Sequence, residues 1–156
     1  MRYLCSALLF CIGELLWKRK IDGEDTGTKN HALRELCGGR LVLWKYRNYG
    51  AFRNIGEKRS GLVAALSVLL TALLTVFFFC SLGSRGNTAL RVGLTFLLGG
   101  AYSNTYERLR HGYVVDYLSV RSRGKLLGTT VFNLADLTIA IGALLIVLSA
   151  DGGLIG

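Results

Sequence analysis

Ser60-Gly-Leu-Val-Ala-Ala-Leu-Ser-Val-Leu-Leu-Thr-Ala-Leu-Leu-Thr-Val-Phe-Phe-Phe-Cys-Ser-Leu-Gly83 holds no charged residue, and the uncharged run over 60–84 is closed off by Arg59 and Arg85. Roughly 20 apolar residues in a helix suffice to cross the hydrocarbon core of a bilayer. The block therefore predicts a spanning helix over about 60–82.

Three further segments are apolar but interrupted. Residues 3–17 contain Glu14, residues 88–106 contain Arg91 near one end, and residues 126–150 contain the single charge Asp136. A long arginine side chain near a helix end can reach the interface. The pattern predicts an all-α membrane protein with four transmembrane helices, about 3–17, 60–82, 88–108 and 131–150, and both termini on one side. At 156 residues the chain is expected to form a single membrane domain, 1–156. The first block could also be a signal peptide, but Leu15-Leu16-Trp17 offers no small residues for cleavage, which favours a retained helix.

Between the first two helices lies a polar segment, about 18–59. Asp22-Gly-Glu-Asp-Thr-Gly-Thr within it is rich in turn formers. Arg40-Leu-Val-Leu-Trp-Lys-Tyr-Arg-Asn48 alternates roughly apolar with polar and fits a strand. A small extramembrane β-element is therefore expected here, on the membrane surface. Gly83-Ser-Arg-Gly-Asn87 reads as a tight turn, and 109–130, with Arg121-Ser-Arg-Gly-Lys125, as a loop.

The net charge is +9, and sixteen of the nineteen Lys/Arg fall in 18–59 and 108–125. Beside membrane segments, such charge meets anionic lipid headgroups more simply than nucleic acid, so membrane lipids are expected partners and nucleic acid is not. Cys5, Cys11, Cys37 and Cys80 show no metal-ligand spacing and read as small buried hydrophobes. His31 and His111 form no metal motif, so neither a metal nor another cofactor is expected.

Two acids stand out. Asp116 in Gly-Tyr-Val-Val-Asp and Asp136 in Phe-Asn-Leu-Ala-Asp each sit at the edge of an apolar segment, where a carboxylate is costly to ionise and a functional candidate by default. Four spans place both at one membrane face, close enough for a dyad. Asn104 and Arg108 are four apart, and Asn133 and Asp136 three apart, so each pair shares a helix face. The plainer reading takes Asp116 as a loop residue, Asp136 as favoured by a helix dipole, and Arg108 as paired with Glu107 or a lipid phosphate. Gly99-Gly100 could line a close helix contact or leave room for a lipid chain.

At these residues the chain resembles signal peptidase II, a family of four-helix membrane aspartic proteases. Gly99-Gly-Ala-Tyr-Ser-Asn-Thr-Tyr-Glu-Arg-Leu-Arg-His-Gly-Tyr-Val-Val-Asp116 is similar to the family's G-G-A-x-x-N-x-x-D-R…G-x-V-V-D block. Phe132-Asn-Leu-Ala-Asp136 matches F-N-x-A-D, and Arg47-Asn-Tyr-Gly-Ala-Phe52 resembles N-x-G-A-A-F. The resemblance implies Asp116 and Asp136 as the catalytic pair, with Asn104, Arg108 and Asn133 positioning the dyad or substrate. It implies Asn48 as a substrate- or inhibitor-contacting residue of the surface element, and Glu14 with Lys18 as the D-x-x-x-K pair at the end of helix one. It further implies cleavage of prolipoproteins before the diacylglyceryl-cysteine, inhibitors of the globomycin type, and a bacterial plasma membrane setting with the site toward the extracytoplasmic face.

The chain departs from the family pattern at four places. Glu14 and Glu107 replace aspartates, Gly50-Ala-Phe52 is one alanine short, and Tyr117-Leu-Ser-Val lacks a second acid after Asp116. The alternatives left open are an inactive homologue that binds lipopeptide, or a membrane scaffold. A proton-relaying transporter would need acids nearer the midplane. The extracytoplasmic placement runs against the positive-inside rule, because the loops on that face carry most of the Lys/Arg.

Overall fold

The computed structural model describes residues 2–24, 30–51, 54–83, 88–121 and 130–151. Among the described residues there are four helices: α1 (Arg2–Asp22), α2 (Ser60–Gly83), α3 (Thr88–His111) and α4 (Leu134–Asp151). Four strands, β1 (His31–Leu36), β2 (Leu41–Asn48), β3 (Val114–Val120) and β4 (Val131–Phe132), form one antiparallel sheet in the order β1-β2-β3-β4. A 3-10 turn, Glu57–Arg59, leads into α2.

The expected strand over 40–48 is β2, but the sheet is not confined to the segment between the first two helices. β3 lies within 109–130, expected as a loop, and β4 at the start of the segment expected as helix four. β3 pairs along β2, with Tyr46 opposite Asp116 and Asn48 opposite Val114. This register carries Asp116 to the end of β2 where Asn48 sits. Helix one also runs further than expected, to Asp22, so Glu14 and Lys18 lie inside it and not at its end. Its buried positions Ala7, Cys11, Glu14, Lys18 and Ile21 form one stripe at alternating steps of four and three. Helix four starts three residues later than expected because Val131–Phe132 is strand and Asn133 begins the helix. The expected turns over 25–28 and 84–87, the basic residues 122–125 and Phe52 lie outside the described residues.

α3 is the central helix. Its buried residues include Leu94, Leu97, Leu98, Gly99, Gly100, Ser103 and Asn104. A Cβ on Gly99 would stand 3.2 Å from the Ala7 carbonyl oxygen of α1, and one on Gly100 would collide with the Ala135 carbonyl oxygen of α4. The glycine pair thus serves helix contacts, with α1 on one side and α4 on the other. Gly93 and Gly142 repeat the close approach further along the α3–α4 seam.

α2 is turned inside out relative to a soluble helix. Its buried residues are Thr71, Phe78 and Ser81, while Leu62, Leu66, Leu69, Leu73, Val76 and Phe77 are exposed. Thr71 and Thr75 hydrogen-bond Thr105 and Tyr102 of α3 at 2.9 and 2.6 Å. Among the described residues, Glu57–Gly83 is the one helical run long and apolar enough to cross a membrane by length and composition alone. α1 and α3 carry buried charges that lower their apolar average. Of the cysteines expected to be buried, Cys11 is, whereas Cys5, Cys37 and Cys80 are exposed. Cys5 and Cys80 lie on helix faces directed away from the bundle, which are themselves apolar.

Candidate active site

The site sits where the sheet meets the ends of α3 and α4. Asp116, Asp136, Asn48 and Arg108 line one cavity of about 150 Å3, with Ala51, Val114, Val131 and Ile139. Each carboxylate oxygen of the two aspartates has a donor. Asn133 Nδ2 donates to Asp116 Oδ1 at 2.6 Å, and Asn48 Nδ2 donates to Asp116 Oδ2 at 2.9 Å. Asn104 Nδ2 donates to Asp136 Oδ1 at 2.8 Å, and the Asn133 backbone N–H to Asp136 Oδ2 at 3.2 Å.

The last of these is half of a capping box. Asn133 is the N-cap of α4, and its Oδ1 accepts the Asp136 N–H at 2.9 Å while Asp136 reaches back to the Asn133 N–H. The spacing Asn-x-x-Asp thus starts the helix and fixes the aspartate rotamer together. The spare amide of the same asparagine then holds the other aspartate.

Asp116 is 2% exposed and its carboxyl is pushed up to about 7. Burial is the main cause and the nearby charge of Asp136 the next, while donation from Asn48 and Asn133 opposes them.

Behind the aspartates lies a second layer of charge. Lys18 is fully buried and meets Glu107 Oε2 at 2.9 Å, Asn104 Oδ1 at 2.6 Å, Ser103 Oγ at 3.4 Å and Glu14 Oε1 at 3.8 Å. By occupying the Asn104 carbonyl, Lys18 turns the Asn104 amide toward Asp136. Glu107 Oε2 also accepts the Val115 N–H at 3.3 Å, which ties α3 to β3 beside Asp116. Glu14 accepts the Tyr117 hydroxyl at 2.9 Å and the Ala135 N–H at 3.2 Å. It therefore caps the first turn of α4, where a negative charge is favoured. Burial and Glu14 raise the Tyr117 phenol well above its usual range, so it remains a donor to Glu14.

Arg108 does not pair with Glu107, whose partner is Lys18. Its guanidinium donates to the Asn104 and Gly50 carbonyls at 3.4 and 3.3 Å, and its Nε is buried without a partner. Gly50 belongs to a turn held by Asn54, whose Oδ1 accepts the Tyr49 and Gly50 N–H groups at 2.8 and 3.0 Å. The Asn48 amide also donates to the Ala51 carbonyl at 3.0 Å, so one side chain joins turn and aspartate.

All eight residues singled out in the sequence fall in this one network. The cavity takes Asp116, Asp136, Asn48 and Arg108, Asn104 and Asn133 hold the acids, and Glu14 and Lys18 stand behind them. Ser103, Glu107 and Tyr117 complete it and were not singled out for a role. A buried lysine needs acidic partners, but Lys18 stands in a basic run that looks solvated, so the sequence carries no signal toward Glu107.

Residues 9–150 match the family model described as signal peptidase (SPase) II. The chain is 38% identical over 102 residues to the lipoprotein signal peptidase of Halothermothrix orenii, covering 65% of this chain and 64% of that protein. It is 33% identical over 105 residues to that of Alteromonas mediterranea, covering 65% and 56%. The aligned segments thus span less than two thirds of these two relatives. With the lipoprotein signal peptidase of Enterococcus faecalis the identity is 28% over 144 residues, covering 92% of this chain and 83% of that one. A solved structure described as a bacterial membrane enzyme, obtained by the in meso method at 2.3 Å, superposes with a TM-score of 0.81 at 24% identity, covering 97% of this chain and 88% of that one. That likeness concerns the fold, while the family model, extending from α1 to the end of α4, establishes that the chain belongs to the signal peptidase II family.

Proposed function

We propose that this chain is a membrane aspartic endopeptidase that removes signal peptides from lipid-modified prolipoproteins, cutting before the diacylglyceryl-cysteine. The observation that carries the reading is the pair Asp116 and Asp136 on one small cavity, with every carboxylate oxygen held by an amide donor. Two such acids cannot both ionise cheaply, so they share a proton near neutral pH, and its loss and gain belong to the pair.

Burial raises the Asp116 carboxyl, which favours Asp116 as the protonated member of the pair. Asp136 takes a proton from a water in the cavity as that water attacks the scissile carbonyl. Protonated Asp116 donates to the carbonyl oxygen, giving a gem-diol. On collapse the leaving nitrogen receives a proton from Asp136, the C–N bond breaks, and Asp116 recovers its proton. The donors on the carboxylates leave their second lone pairs free for this traffic. The Arg108 guanidinium, lining the same cavity, positions a substrate carbonyl, and Asn48 holds Asp116 at the mouth of the turn.

The membrane reading follows from the outward faces. Exposed leucines, valines and phenylalanines cover α2, and Leu8, Leu9, Ile12, Leu16, Ile141, Leu144, Val147 and Leu148 do the same on α1 and α4. An apolar exterior of this extent suits lipid and not water. All four helices then span, with the sheet at the extracytoplasmic face of a bacterial plasma membrane. Globomycin-type inhibitors would enter the same cavity.

The test is cleavage of a lipidated precursor by the purified protein, repeated with Asp116→Asn and Asp136→Asn. Loss of cleavage in both, with unfolding temperatures showing a retained fold, is expected. Processing by either variant at the wild-type rate would overturn the dyad.

A further inference from the structure

A second concave surface lies away from the aspartates, between α1 and α3. It encloses about 480 Å3, and its lining passes from apolar to basic toward the sheet end of the two helices. On α1 the lining runs Ile12, Leu16, Arg19, and on α3 it runs Tyr106, Arg110, each at helical spacing along one face. The apolar members of both stripes are exposed, as are both arginines.

The charges in this groove are unevenly matched. Its two acids are already engaged, Glu107 by Lys18 at 2.9 Å and Asp22 by Arg47 at 2.7 Å. Among the described residues, Arg19 and Arg110 have no ion pair or side-chain hydrogen bond. Two unneutralised guanidiniums therefore stand over an apolar slot at the ends of two helices whose outer faces are apolar. Guanidinium recognises phosphate oxygens by paired N–H donation, and a slot of leucine and isoleucine takes a hydrocarbon chain.

We infer that the α1–α3 groove is a binding site for one anionic phospholipid, its phosphate between Arg19 and Arg110 and an acyl chain along Ile12, Leu16 and Tyr106. The inference rests on the membrane reading above and is independent of the aspartates. It also gives two of the cations on the sheet-bearing face a lipid counter-charge. Lys18 borders the groove, but its ammonium is taken up by Glu107, Asn104, Ser103 and Glu14.

Native mass spectrometry of the detergent-solubilised protein, titrated with phosphatidylglycerol and separately with phosphatidylcholine, provides the test. Wild-type protein is expected to retain one phosphatidylglycerol in preference to phosphatidylcholine. Arg19→Gln and Arg110→Gln should each weaken retention about fivefold, the effect of one basic residue at an anionic surface, and Lys20→Gln should leave it unchanged. Glycerol phosphate, a soluble headgroup, should not displace the lipid. Equal retention of the two lipids, equal loss in Lys20→Gln, or displacement by glycerol phosphate would each overturn the site. Precursor cleavage by the two arginine variants separates this from the protease reading: they should still cut.

Discussion

Asn133 donates its side-chain amide to Asp116 at 2.6 Å while its backbone N–H and side-chain oxygen are both engaged by Asp136. One asparagine thus begins α4, sets the rotamer of one aspartate and holds the carboxyl of the other. Asn133→Ala should lower unfolding stability by about 1 kcal/mol through the lost cap. It should also lower kcat/KM roughly tenfold to a hundredfold, the worth of a hydrogen bond to a charged group. Removing a donor from a carboxylate raises its pKa, so the alkaline limb of the pH profile should move to higher pH. Asn133→Ser keeps a capping oxygen and should restore stability without restoring rate. A serine variant with full activity would sink the bridging role.

The raised Asp116 carboxyl makes a prediction about stability. An unfolded aspartate titrates near 3.9, whereas in the fold Asp116 holds its proton to about 7. Between those limits the folded state binds more protons than the unfolded state, so this group's contribution is fully present below about pH 4 and is lost as pH rises through about 7. Asp116→Asn removes the titration. A plot of unfolding temperature against pH in detergent should therefore fall less steeply for the variant over that window than for wild type. The absolute level is no guide, because the new amide would face two amide donors. Parallel slopes would mean that Asp116 is ionised throughout.

Lys18 is a fully buried cation between Glu107 and Glu14. Lys18→Met leaves two buried acids without their cation, and breaking a buried pair costs about 3–5 kcal/mol. It also frees the Asn104 carbonyl, whose bond to Lys18 aims the Asn104 amide at Asp136. Both stability and cleavage should fall. Adding Glu107→Gln to Lys18→Met should return part of the stability, because the amide can still be placed without a counter-charge. Cleavage should not return. Recovery of both together would show that Lys18 acts only on folding.

Some of this was legible in the sequence and some was not, for physical reasons. α2 announces itself because no charge interrupts it, and β2 because it alternates. β3 does not, because Val114 to Tyr117 are all buried and a strand covered on both faces has no period-two pattern to read. The end of α1 was misplaced because Lys18-Arg19-Lys20 looks like a solvated flank, although Lys18 and Ile21 continue the buried stripe begun at Ala7. Asp116 and Asp136 could be named from motifs, but the duties of Glu107 and Tyr117 depend on partners in α1, remote in sequence. Nothing local marks Glu107 as the partner of Lys18.

The α3–α4 seam depends on the absence of a side chain at Gly100. An added Cβ would collide with the Ala135 carbonyl oxygen, which is backbone and cannot swing aside, and stand 2.6 Å from Thr138 Oγ1. Gly100→Ala should therefore push α4 outward at its first turn, where Asp136 is held, and cost about 1–3 kcal/mol, as overpacking does. Gly13 of α1 is the control, since a Cβ there meets nothing within 4 Å. Gly13→Ala removes the backbone freedom of glycine from a helix interior and should stabilise by up to about 1 kcal/mol. The two substitutions are chemically identical and opposite in expected sign. Thermal unfolding in detergent with a parallel cleavage assay should show Gly100→Ala lower in both and Gly13→Ala raised in the first and unchanged in the second. Equal unfolding temperatures for the two variants would mean that the helices can part without consequence and that the seam does not set the position of Asp136.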